Sequence, residues 1–176
     1  MTTLERAREL LKLGDVIAIP TETVYGLAGD IRSEEGLRKI FAVKERPFFD
    51  PLIVHVDTIE KAKSLTREWT EIHQALSEKL WPGPLTLLAP KASSVNPLIT
   101  SGLDDVGLRC PRHQLTLDLL KDFDGLAAPS ANKFGKTSPT QAQHVESEFQ
   151  GKVAILDGGP CDVGIESTVA AVVKEG

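Results

Sequence analysis

Apolar residues recur along the chain in two rhythms. Short runs at Val16-Ile17-Ala18-Ile19, Leu85 to Ala89, Val106 to Cys110, Leu126-Ala127-Ala128, Val153 to Leu156 and Thr168 to Val173 read as strands, and Leu52-Ile53-Val54-His55-Val56 as a buried one. Between them the spacing turns helical. Leu4, Ala7 and Leu11 share a face, with Thr2 and Glu5 at capping-box spacing and Gly14 able to close the end. Ser33 can cap a helix carrying Leu37, Ile40 and Phe41. Thr58 to Leu80 predicts two helical pieces, the second burying Ile72, Ala75, Leu76 and Leu80, and ended by Trp81-Pro82-Gly83-Pro84. Ser93 to Gly102 is polar and turn-rich and reads as a mobile loop. Further helices are expected at Leu115 to Leu120 and near Thr140 to Phe149. Strands and helices alternate without repeat or linker, so the expected class is α/β. The expectation is one domain over residues 1–176, with a twisted, mixed, mostly parallel sheet flanked by helices.

Composition narrows the partners. The chain has 176 residues, 41% apolar and 26% charged, with a formal net charge of −5, so no global basic field draws it to nucleic acid or an anionic membrane. Any anionic ligand has to be held by local cations. No apolar run approaches the roughly 20 residues that span a bilayer. Charges at Glu5 and Arg6 fall where a signal peptide needs its apolar core, so a cytoplasmic location is expected. Cys110 and Cys161 stand far apart, in no zinc-ligand or CxxC spacing, which points to packing rather than chemistry.

Candidate chemistry sits where strands end. Pro20-Thr21-Glu22-Thr23-Val24-Tyr25-Gly26-Leu27 places two hydroxyls, a phenol and a glycine just beyond a strand, where open α/β sheets bind ligands; equally it is a solvated turn. Lys44 and Arg46, with Pro47 after them, offer either a phosphate-gripping pair or a helix end whose cations meet the C-terminal dipole. His55 within an apolar strand is a core imidazole or a group at the sheet end. Arg109 ends a buried strand and therefore pairs with an internal carboxylate or awaits an anion. Ser130 and Asn132 share one side of an extended turn, and Ser167 with Thr168 repeats the theme; both read as binding groups or as polar turns. Phosphate loops, dinucleotide fingerprints, zinc helices and nucleophile elbows are all missing from the sequence.

Seven segments in order resemble the Sua5/YrdC family. They are Pro20 to Leu27, Lys44-Glu45-Arg46-Pro47, Pro51-Leu52-Ile53-Val54-His55, Trp81-Pro82-Gly83-Pro84-Leu85-Thr86, Arg109-Cys110-Pro111, Pro129-Ser130-Ala131-Asn132 and Gly164-Ile165-Glu166-Ser167-Thr168-Val169. The match runs from about Ala7 to Val173. The resemblance implies a three-layer YrdC-like fold around a concave, positively charged cavity. It also implies formation of threonylcarbamoyl-adenylate and pyrophosphate from L-threonine, bicarbonate and ATP, the first step of the tRNA t6A modification. ATP would carry Mg²⁺ with no dedicated protein site, the product would pass to the t6A transferase machinery, and contact with tRNA itself would be weak or indirect.

By matching motif, the resemblance places Thr23, His55, Arg109 and Ser167 on L-threonine, with Ala128 assisting and Thr21 and Tyr25 lining the same pocket. It places Arg46, Asp50, Ser130 and Ser138 on ATP, with Lys44 and Asn132 from the same signatures. Lys44, Arg46 and Arg109 are then the catalytic cations, neutralising charge while carbamate meets the α-phosphate. Asp50 stands where the family usually has asparagine, facing the triphosphate or binding the metal, and Asp105 where it usually has a small hydroxyl residue. The sequence ends before the family's Leu-Arg-x-Gly segment, which implies a substitute for its arginine, weaker nucleotide binding or a shortened chain. Two other functions are compatible: double-stranded RNA binding, opposed by the acidic balance, and adenylation of another carbamate by a paralogue.

Overall fold

The computed structural model describes residues 1–45 and 47–172; Arg46 and the last four residues, including the end of the expected final strand, lie outside the described residues. The elements run α1 (Leu4–Lys12), β1 (Ile17–Ile19), β2 (Gly26–Asp30), α2 (Glu34–Lys44), β3 (Ile53–His55), α3 (Ile59–Ser64), α4 (Glu71–Leu80), β4 (Leu85–Pro90), α5 (Pro97–Thr100), β5 (Asp105–Arg109), α6 (Gln114–Leu120), β6 (Leu126–Ala127), α7 (Ala142–Phe149), β7 (Ala154–Ile155) and β8 (Thr168–Ala171). No helix of the described residues is long and apolar enough to cross a membrane.

Side-chain caps set where several helices start. Thr3, not Thr2, begins α1, its hydroxyl accepting from the Arg6 amide at 3.2 Å, while Ser33 caps α2 on the Gly36 amide as expected. Gly14 takes a φ of +76° just after α1, a value an L-residue adopts only with strain. The segment expected as a mobile loop contains α5, capped by Asn96, and buries Val95 and Ile99. The carbonyl of Ile99 also receives the Leu52 amide at 2.7 Å, which ties this segment to the start of β3.

One sheet of eight strands orders them β7-β1-β2-β6-β3-β5-β4-β8. It is mixed, as expected, but not mostly parallel: β1/β2, β2/β6, β3/β6 and β4/β5 are antiparallel, while β1/β7, β3/β5 and β4/β8 are parallel. The reason is β2, which the sequence pattern does not announce. Gly26, Ala28 and Gly29 carry little side chain, yet the chain turns at Thr21 to Val24 and pairs straight back on β1.

Two apolar clusters flank the sheet. Val16, Ala18, Leu27, Val54, Leu108 and Ala127 face α2, α3, α5 and α7, while Ile17, Ile19, Ala28, Leu126 and Ala128 face α1 and α6. Each fully buried aliphatic side chain contributes about 2 kcal/mol. Helix α4 departs from expectation: Ile72 and Leu80 are exposed, and the buried positions are His73 and Ser77. His73 satisfies a capping box with Thr70 through Nδ1 and meets the Leu88 carbonyl through Nε2 at 3.0 Å, so this face docks by hydrogen bonds.

Candidate functional site

Helices α1 and α6 cover only half of their face of the sheet. Across register, Leu126 pairs with His55, His55 with Arg109, Ile53 with Gly107, Gly107 with Leu88, and Thr86 with Val169, so these residues continue the face that α1 and α6 cover elsewhere. Over β3, β5, β4 and β8 that face stands open. Its far stretch is an apolar cavity of about 450 Å³ bounded by Pro51, Ile53, Leu88, Leu103, Gly107 and Val169, with Asp104 and Asp105 at its edge. A polar cleft of about 30 Å³ begins at the shared residue Ile53 and runs past His55 and Arg109 to the strand-end loops.

Backbone hydrogen bonds lace those loops to the Pro20–Leu27 segment. Tyr25 N donates to Pro139 O at 2.8 Å, Leu27 N to Pro129 O at 2.7 Å, Ala131 N to Tyr25 O at 2.7 Å and Val163 N to Glu22 O at 2.8 Å. Gly26 permits the close approach, since a Cβ there would lie 3.2 Å from that of Ala128. Within the segment Thr21 Oγ1 donates to Val24 O at 2.7 Å and stands 2.9 Å from Thr23 Oγ1, which stiffens the turn.

Arg109 is the electrostatic centre. Its Nη2 donates to Glu22 Oε2 and to Thr23 Oγ1, both at 2.9 Å, and its side chain is 4% exposed against 0% for that of Glu22. Glu22 Oε2 also accepts the Arg112 amide at 3.1 Å. Three buried atoms around this pair, Glu22 Oε1, Arg109 Nε and His55 Nδ1, have no partner among the described residues. Burial first, and then the Arg109 charge, pushes the His55 pKa down to about 3, against a weaker opposing hydrogen bond with the Ile53 backbone. The imidazole is therefore neutral beside the guanidinium.

This neutrality has a consequence for stability. As pH falls below about 6.5 the unfolded chain takes up a proton at His55 that the folded one refuses, so the contribution is intact above that pH and is lost towards about pH 3. Up to about 5 kcal/mol is at stake. The denaturant midpoint is expected to drop over this window, and His55→Asn to flatten the drop; an unchanged acid slope in that variant would assign it to other groups.

Of the residues singled out in the sequence, Thr21, His55, Arg109, Ala128, Ser130 and Ser167 line the cleft. Thr23 lies immediately behind Arg109. Ser167 Oγ stands 2.8 Å from Thr86 Oγ1, and Ser138 Oγ donates to Glu166 Oε1 at 2.6 Å, which places Ser138 at the cleft's rim. Asp50 precedes the cavity residue Pro51. Tyr25 requires correction. It is fully buried, and its hydroxyl leaves the cleft to meet Asp157 Oδ1, Gly159 O and the Gly158 amide. These bonds anchor a turn, Tyr25 forms no wall of the cleft, and burial raises its pKa to about 12.

Lys44 and Asn132 act behind the surface. Lys44 is 1% exposed, and its ammonium donates to the carbonyls of Ser130 and Asn132. Asn132 Nδ2 donates to Lys133 O and Lys136 O, both at 2.8 Å, and so shapes the following loop. Arg46 lies outside the described residues. Sequence reasoning passed over Glu22, Thr86 and Glu166, which fix Arg109, Ser167 and Ser138 respectively. Only Arg109's need for an internal carboxylate pointed towards one of them.

The family model for Sua5, YciO and YrdC, described as telomere recombination, matches residues 9–176. The chain belongs to this family. A threonylcarbamoyl-AMP synthase of Pyrococcus abyssi is 44% identical over 165 residues, 93% of this chain and 48% of the relative. One of Bacillus subtilis is 44% identical over 175 residues, 98% of this chain and 51% of the relative. The chain thus spans about half the length of the curated relatives it matches. The crystal structure of P. abyssi Sua5 complexed with L-threonine superposes with a TM-score of 0.93 at 43% identity, covering 96% of this chain and 50% of that one. The Sua5/YciO/YrdC fold is therefore also the fold of this chain.

Proposed function

We propose that the chain forms threonylcarbamoyl-AMP and pyrophosphate from L-threonine, bicarbonate and ATP, the first step of t6A modification of tRNA. The observation that carries this reading is a buried guanidinium beside a neutral imidazole, opening on a cleft that shares Ile53 with an apolar cavity of about 450 Å³. Arg109 suits the amino-acid carboxylate, and His55, Thr21 and Ser167 offer hydrogen-bonding partners for its hydroxyl and amine. The cleft of about 30 Å³ is narrow, so a bound amino acid shifts its more exposed wall, at Glu166 and Ser167. The apolar cavity suits a purine, with Ser130 and Ser138 towards the phosphates.

The amine attacks bicarbonate, water leaves, and a carbamate oxygen then attacks the α-phosphate as pyrophosphate departs. No protein nucleophile is needed; the residues position anions against one another and exclude water. Mg²⁺ would come with ATP itself, since no cluster of His, Cys, Asp and Glu among the described residues could hold a metal ion. Such an ion would offset phosphate charge.

Pyrophosphate release settles the matter when the protein is incubated with ATP, Mg²⁺, bicarbonate and single amino acids. Release that requires both threonine and bicarbonate is the expected result. Release independent of either, or with a different amino acid preferred, would overturn the assignment.

A further inference from the structure

Arginine with a free planar face grips phosphate at least as well as carboxylate. A site that must take an amino acid next to a triphosphate therefore needs something to keep phosphate off its arginine. We infer that Glu22 is that device: a buried carboxylate that orients Arg109 and cancels its charge, so that this end of the cleft accepts a zwitterion and rejects a phosphate polyanion. The inference rests on the proposed reading in taking the Arg109 end as the amino-acid end.

The geometry supports both parts of the role. Orientation comes from two acceptors on a single nitrogen, Glu22 Oε2 and Thr23 Oγ1, each 2.9 Å from Nη2, while the Arg112 amide fixes the carboxylate from the other side at 3.1 Å. Charge cancellation follows from burial, since neither side chain is more than 4% exposed and solvent screens the pair little. Glu22 itself does not line the cleft, so it acts through Arg109 and is a positioning residue. A carboxylate just behind the guanidinium repels each further negative charge of an incoming ligand. A zwitterion brings no net charge, whereas pyrophosphate brings several, so the penalty falls on the wrong ligand. Arg109 Nε and Glu22 Oε1 have no partner among the described residues, so the pair is not a closed bidentate fork, and the guanidinium is not consumed by its partner.

Calorimetric binding of L-threonine and of inorganic pyrophosphate to the whole chain tests the inference. Glu22→Gln is expected to shift the ratio of the two affinities towards pyrophosphate by about tenfold or more. In Glu22→Gln/Arg109→Gln the gain in pyrophosphate binding should vanish. A purely structural role would weaken both ligands alike, and an unmoved ratio would overturn the inference. So would a pyrophosphate gain that survives in the double variant. Should Glu22→Gln not fold, Glu22→Asp serves instead: it keeps the charge, and must keep the discrimination against pyrophosphate while weakening threonine. If the wild-type chain ignores threonine, the proposed function fails, while the pyrophosphate arm still reads the charge role of Glu22.

Discussion

Arg109→Ala is expected to lower threonine-dependent pyrophosphate release by at least about 100-fold and to destabilise the fold by about 3–5 kcal/mol. Both effects share one cause. Arg109 is the positive partner of Glu22 in a place water does not reach, so its loss strands a carboxylate whose side chain is 0% exposed. It also removes the donor that the proposed reading assigns to the substrate carboxylate, while the apolar cavity bounded by Gly107 and Val169 is left as it was. The loss should therefore fall on threonine, with the KM for ATP little changed. Adding Glu22→Gln should return most of the stability, measured by urea unfolding, and none of the activity. An Arg109→Ala protein that keeps its KM for threonine would mean that the amino acid binds elsewhere.

Lys44→Met should cost about 2–5 kcal/mol, since two carbonyls lose a charged donor inside the protein. Methionine keeps much of the side-chain length and volume, so the change isolates the ammonium. Ser130 O and Asn132 O, which accept from it, belong to the turn that closes one side of the cleft. The turn's own links to the opening loop, Leu27 N to Pro129 O and Ala131 N to Tyr25 O, should exchange their hydrogens faster in the variant. Sequence reasoning offered Lys44 as a direct ATP-binding cation. A positioning role predicts lost stability together with lost activity, whereas direct phosphate contact alone predicts lost activity with an unchanged urea midpoint.

Much of the fold was legible because strand and helix periods are local. The runs at Ile17, Val54, Leu87 and Leu108 became strands, and the Ser33 cap stands where its side-chain chemistry requires. Errors arose where a partner distant in sequence outweighed the local pattern. Helix α4 buries a histidine because the Leu88 carbonyl waits for it 15 residues away, and β2 forms from two glycines and small residues because β1 and β6 supply both its edges. The antiparallel excess in the sheet has the same origin.

At the site, hydroxyls, imidazole and guanidinium could be named in advance, because their residue types and positions at strand ends lie in the sequence. Their ranks could not. Tyr25 and Lys44 carry the same chemistry whether they face a ligand or a buried carbonyl, and only packing turned the first onto the Asp157 turn and the second beneath Ser130. Glu22 became the partner of Arg109 across 87 positions of sequence, where the turn between β1 and β2 meets the end of β5, a meeting no local pattern encodes. Short-range order was enough for the class of fold and the inventory of polar groups, and the family came from seven motifs resembling it in order. Which groups meet, which are buried and which charge opposes which were decided by the tertiary structure, because electrostatics acts through space and burial, and neither is a local property of the chain.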